Sequence, residues 1–512
     1  MITVVALSGF CGSAQGRRPR AASHAKYVFF FIGDGMANVQ VNATEAFLAQ
    51  VDQADNPTGN YNDPNSHGTA GAELMVMSQF PIQGMSTTFA DNRYITGSAA
   101  AGTALSCGKK TTINTIAMNA ERTSPYKSIA KLAKEKGMKV GIISSVSIDH
   151  ATPAVFYANQ AERSMYHEID MDLANSGFDF FGGGGLKAPE LWVDDDNDPC
   201  TPDVLVEDAL QTAEDNGYKI VNTRSDIMAL TPADGKVIAY DANLAGGSAL
   251  IYEIDRMANP SVHVSLAEFT RKGIEMLDNP NGFFLMVEGG KIDWACHAND
   301  AVSAIYDTIA FDDAIAEAVD FMRDHPRETL IVVTGDHECG GLTIGFANTG
   351  YDTYFEALDD QTKSYEAFNV DFYAYKDDYV PVDGSTYDPA EDDIDAEMKD
   401  LMLSSFGLDF ESLSDYQQDL LEAAFDKSMA GYSINKQEQD NLLYGYYEPI
   451  TVTCTHVLNN NAGFAWTSYS HTGVPVPVLA AGKDAWRFDG FYDNTDIPKR
   501  IALAMGEILD ND

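Results

Sequence analysis

Six short runs of apolar, β-branched or aromatic residues recur along the chain with helical patterns between them: Tyr27 to Ile32, Val140 to Ser144, Lys236 to Ala239, Phe283 to Val287, Leu330 to Val333 and Val476 to Ala480. That alternation marks an α/β protein with a mostly parallel sheet. Polar residues stand where the runs stop. Asp34 follows the first, Glu288 the fourth and Asp336-His337 the fifth. In open α/β sheets, ligand sites gather beyond the carboxyl ends of the strands. An Asp in such a place also serves simply to cap the next helix, so a single one decides nothing.

The 512 residues leave room for about three domains, or for one large α/β core with insertions. With 33 Lys plus Arg against 77 Asp plus Glu, the net charge is −44. Nucleic acids and anionic bilayers are bound through clustered cations, so both are disfavoured as partners. No uninterrupted apolar run reaches the length of a membrane-spanning helix. Residues 1–25 read as a poor or truncated export leader: Ile2 to Phe10 is apolar and Ser23-His24-Ala25 offers small residues around a cleavage point, but a charged n-region is missing. Six cysteines in so long a chain are too sparse for a disulfide scaffold.

Composition shifts between 343 and 465. That stretch holds 25 acidic and 5 basic side chains and 12 of the 24 tyrosines, and it reads as an inserted accessory domain packing on the core or on a partner subunit. Ile394, Met398, Leu401 and Met402 recur at helical spacing, and Ser412 or Ser414 suits the N-cap of a second helix containing Leu420, Leu421 and Phe425. The alternative is a solvated acidic loop. The catalytic α/β domain is then 26–342 together with 466–512.

Asp293 and His297 stand four apart, so on a helix they share a face and can converge on one metal. Alone, such a pair is more often an ion pair. Asp336-His337 and His471 add a carboxylate and two imidazoles beside strands. Three of only ten histidines in this setting suit zinc. Ser98 opens the run Ser98-Ala-Ala-Ala, which favours a helix and puts the hydroxyl at its N-terminus, where free N–H groups favour an anion. A plain N-cap is the competing reading.

Taken in order, Phe31-Ile-Gly-Asp34-Gly-Met, Thr96-Gly-Ser98-Ala, His150-Ala-Thr152-Pro-Ala, Arg163, Val287-Glu288-Gly-Gly-Lys-Ile-Asp293, His297, Thr334-Gly-Asp336-His337 and Ser470-His471-Thr-Gly resemble the metal-dependent alkaline phosphatases. The resemblance implies a three-layer α/β sandwich with a mostly parallel central sheet and an inserted, crown-like domain. It implies hydrolysis of small-molecule phosphate monoesters through a phosphoserine, in an exported, periplasmic or extracellular protein that forms a homodimer. It further implies two Zn2+ ions and one Mg2+. Asp293, His297 and His471 would hold one zinc; Asp34, Asp336, His337 and Ser98 the other; Asp34, Thr152 and Glu288 the magnesium. Arg163 would grip two phosphoryl oxygens, and His150 and Trp294, which look like the marine bacterial branch, would lie just outside the ligands. A phosphodiesterase or sulfatase of the same superfold, or a non-catalytic metal-binding scaffold, are the competing readings.

One departure from the family is Gly97, where an aspartate usually precedes the nucleophile and orients the arginine; Arg163 is expected to be less tethered here. Cys296 lies near Asp293 on the helix, but His297 and His471 complete that set without it, and Cys339 reads as a buried small hydrophobe. Asp194 to Asp198 tempts a calcium reading, yet Pro199 and Leu205 occupy the places where an EF-hand needs Gly and Glu, which leaves a solvated loop or another oxygen-rich calcium loop.

Overall fold

All six apolar runs are strands of one ten-stranded sheet in the computed structural model, which describes residues 24–54, 73–193, 204–379, 387–388, 392–431 and 438–511. From edge to edge the order is Gly490–Asp493, Ile82–Thr87, Val476–Gly482, Thr329–Gly335, Tyr27–Gly33, Phe283–Gly289, Lys139–Ser144, Phe180–Gly183, Lys236–Tyr240 and Tyr218–Val221. Only Val476–Gly482 runs against its neighbours; every other pair in this sheet is parallel.

Why the central runs are continuously apolar follows from the two-residue period of a strand. Tyr27, Phe29 and Phe31 enter the core on one face, with Leu266, Ile305 and Phe311 of the helices Leu266–Leu277 and Ala301–Asp324. Val28, Phe30 and Ile32 enter the core on the other, with Leu105, Ile129 and Ile501 of the helices Ser98–Cys107, Ile129–Glu135 and Asp496–Met505. Both faces are thus covered, giving three layers.

Register then sets where the polar strand ends fall. Gly33 pairs with Gly335 on one side and Gly289 on the other, so Asp34 and Asp336 emerge side by side and Glu288, level with Ile32, sits two residues below them. Ser144 is level with Glu288 on the next strand. The antiparallel strand begins at this same edge, which is how His471, five residues before Val476, reaches the site.

The acidic stretch leaves and rejoins the body through a two-stranded ladder, Thr343–Ile344 against Phe464–Ala465. It contains the helices Tyr365–Asp378, Ala396–Phe406, Asp415–Met429, Glu438–Tyr444 and Pro449–Ala462. Ile394 lies just before the helix that Met398, Leu401 and Met402 share, and Ser414, not Ser412, caps the next through a capping box with Gln417. Phe368, Met402 and Phe425 join the same apolar core as the helices under the sheet.

At the chain's start, Ala25 is buried and its N–H donates to the Ala504 carbonyl at 2.8 Å, so the fold already includes the last residue assigned to the leader. Residues 1–23 and the Asp194 to Asp198 loop lie outside the described residues. Among the described residues no helix is long and apolar enough to cross a membrane.

Candidate active site

Close packing of the loop after the first strand depends on Gly35, which has φ +72° and whose missing Cβ would lie 2.8 Å from Cα of Asp293. This contact brings two clusters together. In the first, the helix Lys291–His297 presents Asp293 and His297 on one face, with Nε2 of His297 3.3 Å from Oδ2 of Asp293. His471 Nε2 lies 3.5 Å from Asp293 Oδ1 and 3.1 Å from His297 Nε2. Each imidazole is oriented from behind by a backbone carbonyl that accepts from Nδ1: Tyr469 for His297 at 2.6 Å, Thr96 for His471 at 2.8 Å. Both Nε2 atoms are thereby aimed at the carboxylate, the orientation in which a metal would take them as ligands.

The second cluster is Asp34, Asp336 and His337, fully buried. His337 Nε2 stands 3.3 Å from Asp34 Oδ1 and 3.2 Å from Asp336 Oδ2. Asp336 Oδ1 is fixed by the N–H groups of Gly35 at 3.2 Å and His337 at 2.8 Å. Neither Asp34 nor Asp336 caps a helix through that site-facing oxygen: among the described residues Asp34 Oδ1 and Asp336 Oδ2 have no hydrogen-bond partner, and neither do Asp293 Oδ1, Glu288 Oε1 or His337 Nε2. The rings of His337 and His471 stack at 3.6 Å, joining the two clusters.

A third group combines Asp34, Glu288 and His150. Thr152 Oγ1 donates to Asp34 Oδ2 at 3.4 Å, and Ser144 donates to Glu288 Oε2. The imidazole within reach of these two carboxylates was assigned to an outer position by sequence. His150 Nε2 is also 2.7 Å from Arg163 Nη2, and its ring meets Trp294 edge-on at 5.8 Å. Arg163 therefore has a tether, supplied by His150 in place of a carboxylate at position 97.

Ser98 is the first residue of its helix, after Gly97 in extended conformation, and is buried. Thr96, two residues earlier, is the residue whose carbonyl holds His471. Gly102 lets this helix approach the Ala151–Ala154 turn, since a Cβ there would come 3.0 Å from Val155 Cγ2. The three clusters, with Ser98, Thr152 and Arg163, thus gather at one end of the sheet.

Two site features escaped sequence reasoning. The thiol that stands with Asp293, His297 and His471 is Cys339, fully buried and paired with His471 across the short ladder Glu338–Cys339 and His471–Thr472. Cys296 instead faces Gln40 Nε2 at 3.8 Å. The other is Glu338, which accepts from Gln40 Nε2 at 3.0 Å, from the N–H groups of Gly341 and Leu342, and from Thr472, and so clamps the ladder that carries His471. A ladder partner 132 positions away leaves no periodic trace in the chain.

Burial, reinforced by the neighbouring carboxylates, raises Asp34 far above the usual range and pushes Glu288 up to about 8 and Asp336 up to about 7. Burial works against ionisation of Asp293 too, but His297 and His471 hold it well below the usual range. Four buried carboxylates face each other with Arg163 as the permanent cation among them. Such crowding is tolerated when cations are bound between them. The orphaned oxygens and nitrogens fit metal ions.

A family model of alkaline phosphatase matches residues 25–506. The chain is 30% identical over 496 residues to alkaline phosphatase 3 of Bacillus subtilis (strain 168), covering 96% of this chain and 92% of that protein. It is 29% identical over 506 residues to alkaline phosphatase 4 of the same organism, covering 97% and 93%. Among solved structures, the cold-active alkaline phosphatase from the psychrophile Shewanella sp. matches with a TM-score of 0.70 and 26% identity, over 93% of this chain and 99% of that one. The motifs, the sheet and the metal-ready strand ends agree with these matches, and the chain belongs to the alkaline phosphatase family, hydrolases of phosphate monoesters.

Proposed function

We propose that Ser98 is the nucleophile of this phosphatase and that two zinc ions and one magnesium occupy the three clusters. Asp293, His297 and His471 would hold one zinc, an N and O set that this ion favours. Asp34, Asp336 and His337, with Ser98 as it reacts, would hold the other; Asp34, Thr152 and Glu288 offer oxygens that suit magnesium. When bound, the metals supply Lewis-acid charge that lowers the pKa of the serine hydroxyl and neutralises the departing oxygen. The observation that carries this reading is the set of buried, partnerless ligand atoms at the strand ends.

The chain's own groups do the rest. Arg163 grips two phosphoryl oxygens as a fork while His150 Nε2 meets its Nη2. Ser98 Oγ forms a bond to phosphorus as the ester P–O bond breaks, and the alcohol leaves with a proton. The helix N-terminus at Ser98 favours the added negative charge. A water then attacks the phosphoserine, freeing Ser98 and inorganic phosphate. We further read the protein as exported and dimeric, with residues 343–465 as an accessory domain.

Ser98→Ala is the test. It is expected to abolish acid-trapped phosphoserine and cut turnover of p-nitrophenyl phosphate by far more than tenfold, about 1.4 kcal/mol per decade, with metal content unchanged. Activity above about a tenth of wild type would remove Ser98 from the nucleophile's role. Hydrolysis of the bis-ester or sulfate analogue in preference to the monoester would point to the superfold's other chemistries.

A further inference from the structure

The helix carrying Asp293 and His297 spans seven residues, Lys291–His297, about two turns, and a helix so short does not hold itself. Its orientation has to be imposed by what surrounds it. At its first residue, the Lys291 side chain is completely buried, with Nζ 3.6 Å from the centroid of the Tyr252 ring and 5.1 Å from that of Trp294. Its ion-pair partner is Glu366 Oε2 at 3.1 Å. A buried ammonium is costly unless paired; the carboxylate in contact with it is Glu366, with Asp307 and Asp255 adding charge from further off.

Glu366 belongs to the helix Tyr365–Asp378 of the acidic segment, 75 positions further on. Its second oxygen accepts from the Gly246 N–H at 2.9 Å. The adjoining Gly247 packs against Trp294, close enough that a Cβ would lie 3.0 Å from the indole. The same stretch reaches the other end of the short helix. Asp300 accepts from Tyr365 N–H at 2.9 Å and from Gln361 Nε2 at 2.9 Å, while Oδ1 also caps the following helix at Ser303. Asn299 is met by His456 Nε2 at 3.0 Å and its carbonyl by Asn459 Nδ2 at 2.7 Å. Residues of the acidic segment therefore grip the metal-bearing helix before its first ligand and after its last.

We propose that Glu366 is a positioning residue for the first metal site: through Lys291 it fixes the helix Lys291–His297, and so sets how tightly Asp293 and His297 hold their ion. This rests on the reading of Asp293, His297 and His471 as ligands. It gives the acidic segment a part in metal retention, though none of its side chains is a proposed ligand. Loss of an outer support of this kind costs roughly ten- to hundredfold in metal affinity.

The experiment lowers free zinc around the holoenzyme with a graded chelator and counts bound zinc by elemental analysis. Glu366→Gln is expected to need roughly ten- to hundredfold more free zinc for half occupancy of one site, with kcat returning once the site is filled. Glu366→Asp keeps an anion facing Lys291 and is expected to shift in the same direction by less. If Glu366 serves the fold alone, the Gln variant melts earlier while its half-occupancy stays within about twofold of wild type; that result overturns the proposal. Asp293→Asn is run alongside. Zinc retained in that variant at wild-type free concentrations would strike down the ligand reading itself. Zinc lost there but kept in both Glu366 variants would strike down the positioning role only.

Discussion

The tether on Arg163 can be weighed by a double-mutant cycle. Burial, and then the adjacent Arg163 charge, hold the His150 imidazole well below its usual range, so the ring is neutral and Nε2 accepts from the guanidinium. Removing it in His150→Ala frees a long side chain whose re-ordering on phosphate costs about 1.5 kcal/mol, roughly tenfold in binding. Gly97→Asp introduces a carboxylate next to Ser98. It meets no steric bar, because φ is −125° and no atom lies within 4 Å of a Cβ built at Gly97. In the wild-type background the guanidinium is already ordered, and the new charge also sits beside an anionic substrate, so the phosphate inhibition constant is expected to move by less than about threefold.

In the His150→Ala background the same aspartate becomes the main restraint and is expected to recover most of the tenfold loss. The coupling between the two sites is then about 1 kcal/mol or more. The assay is competitive inhibition of p-nitrophenyl phosphate hydrolysis by inorganic phosphate in the four proteins, with metal content checked in each, since His150 also stands near Asp34 and Glu288. An inhibition constant for His150→Ala within about twofold of wild type, or a cycle that closes additively, refutes the tether.

Two further outcomes are expected. Elemental analysis of the active protein gives about two zinc and one magnesium per chain, and activity lost to a chelator returns with the metals; full activity with a single metal would contradict the three-cluster assignment. Asp312, whose buried carboxylate accepts from Val76 N at 2.8 Å and Met77 N at 2.9 Å, is pushed by burial from 3.8 up to about 7. Because its folded pKa is raised, stability falls as pH climbs between those two values and is flat above, by at most about 4 kcal/mol. Urea unfolding of Asp312→Asn should therefore gain on wild type from about pH 4 to pH 8, and a pH-independent difference would show the carboxylate ionised throughout.

Most of the sheet could be read from the chain because its central strands are buried on both faces and must be apolar throughout. Of the four strands not anticipated, three fail that condition and the fourth, though buried, is only four residues long. Ile82–Thr87 and Gly490–Asp493 lie toward one edge with half-exposed or exposed residues, Tyr218–Val221 is the other edge, and Phe180–Gly183 ends in two glycines. Their extended form is conferred by neighbours already in the sheet, and a short window of sequence carries no record of a neighbour.

At the site the same division recurs with a different cause. The residue types of the proposed ligands and their i, i+4 or strand-end placement are local properties, so Asp34, Asp293, His297, Asp336, His337 and His471 could all be picked out from the chain as candidates. What holds them is not local. His150 on Arg163, Cys339 beside His471, and Glu366 against Lys291 join segments separated by 13, 132 and 75 positions. The absence of a carboxylate at Gly97 is visible and suggests a looser arginine, while the histidine that meets that arginine is placed by sequence just outside the ligands, with no link to it. The two observations connect only when the turn after Ser144 brings His150 under Arg163. A motif transmits which groups react; the orientation that decides how tightly phosphate is held is a property of the packing, and it can be rebuilt from a different residue without disturbing the motif.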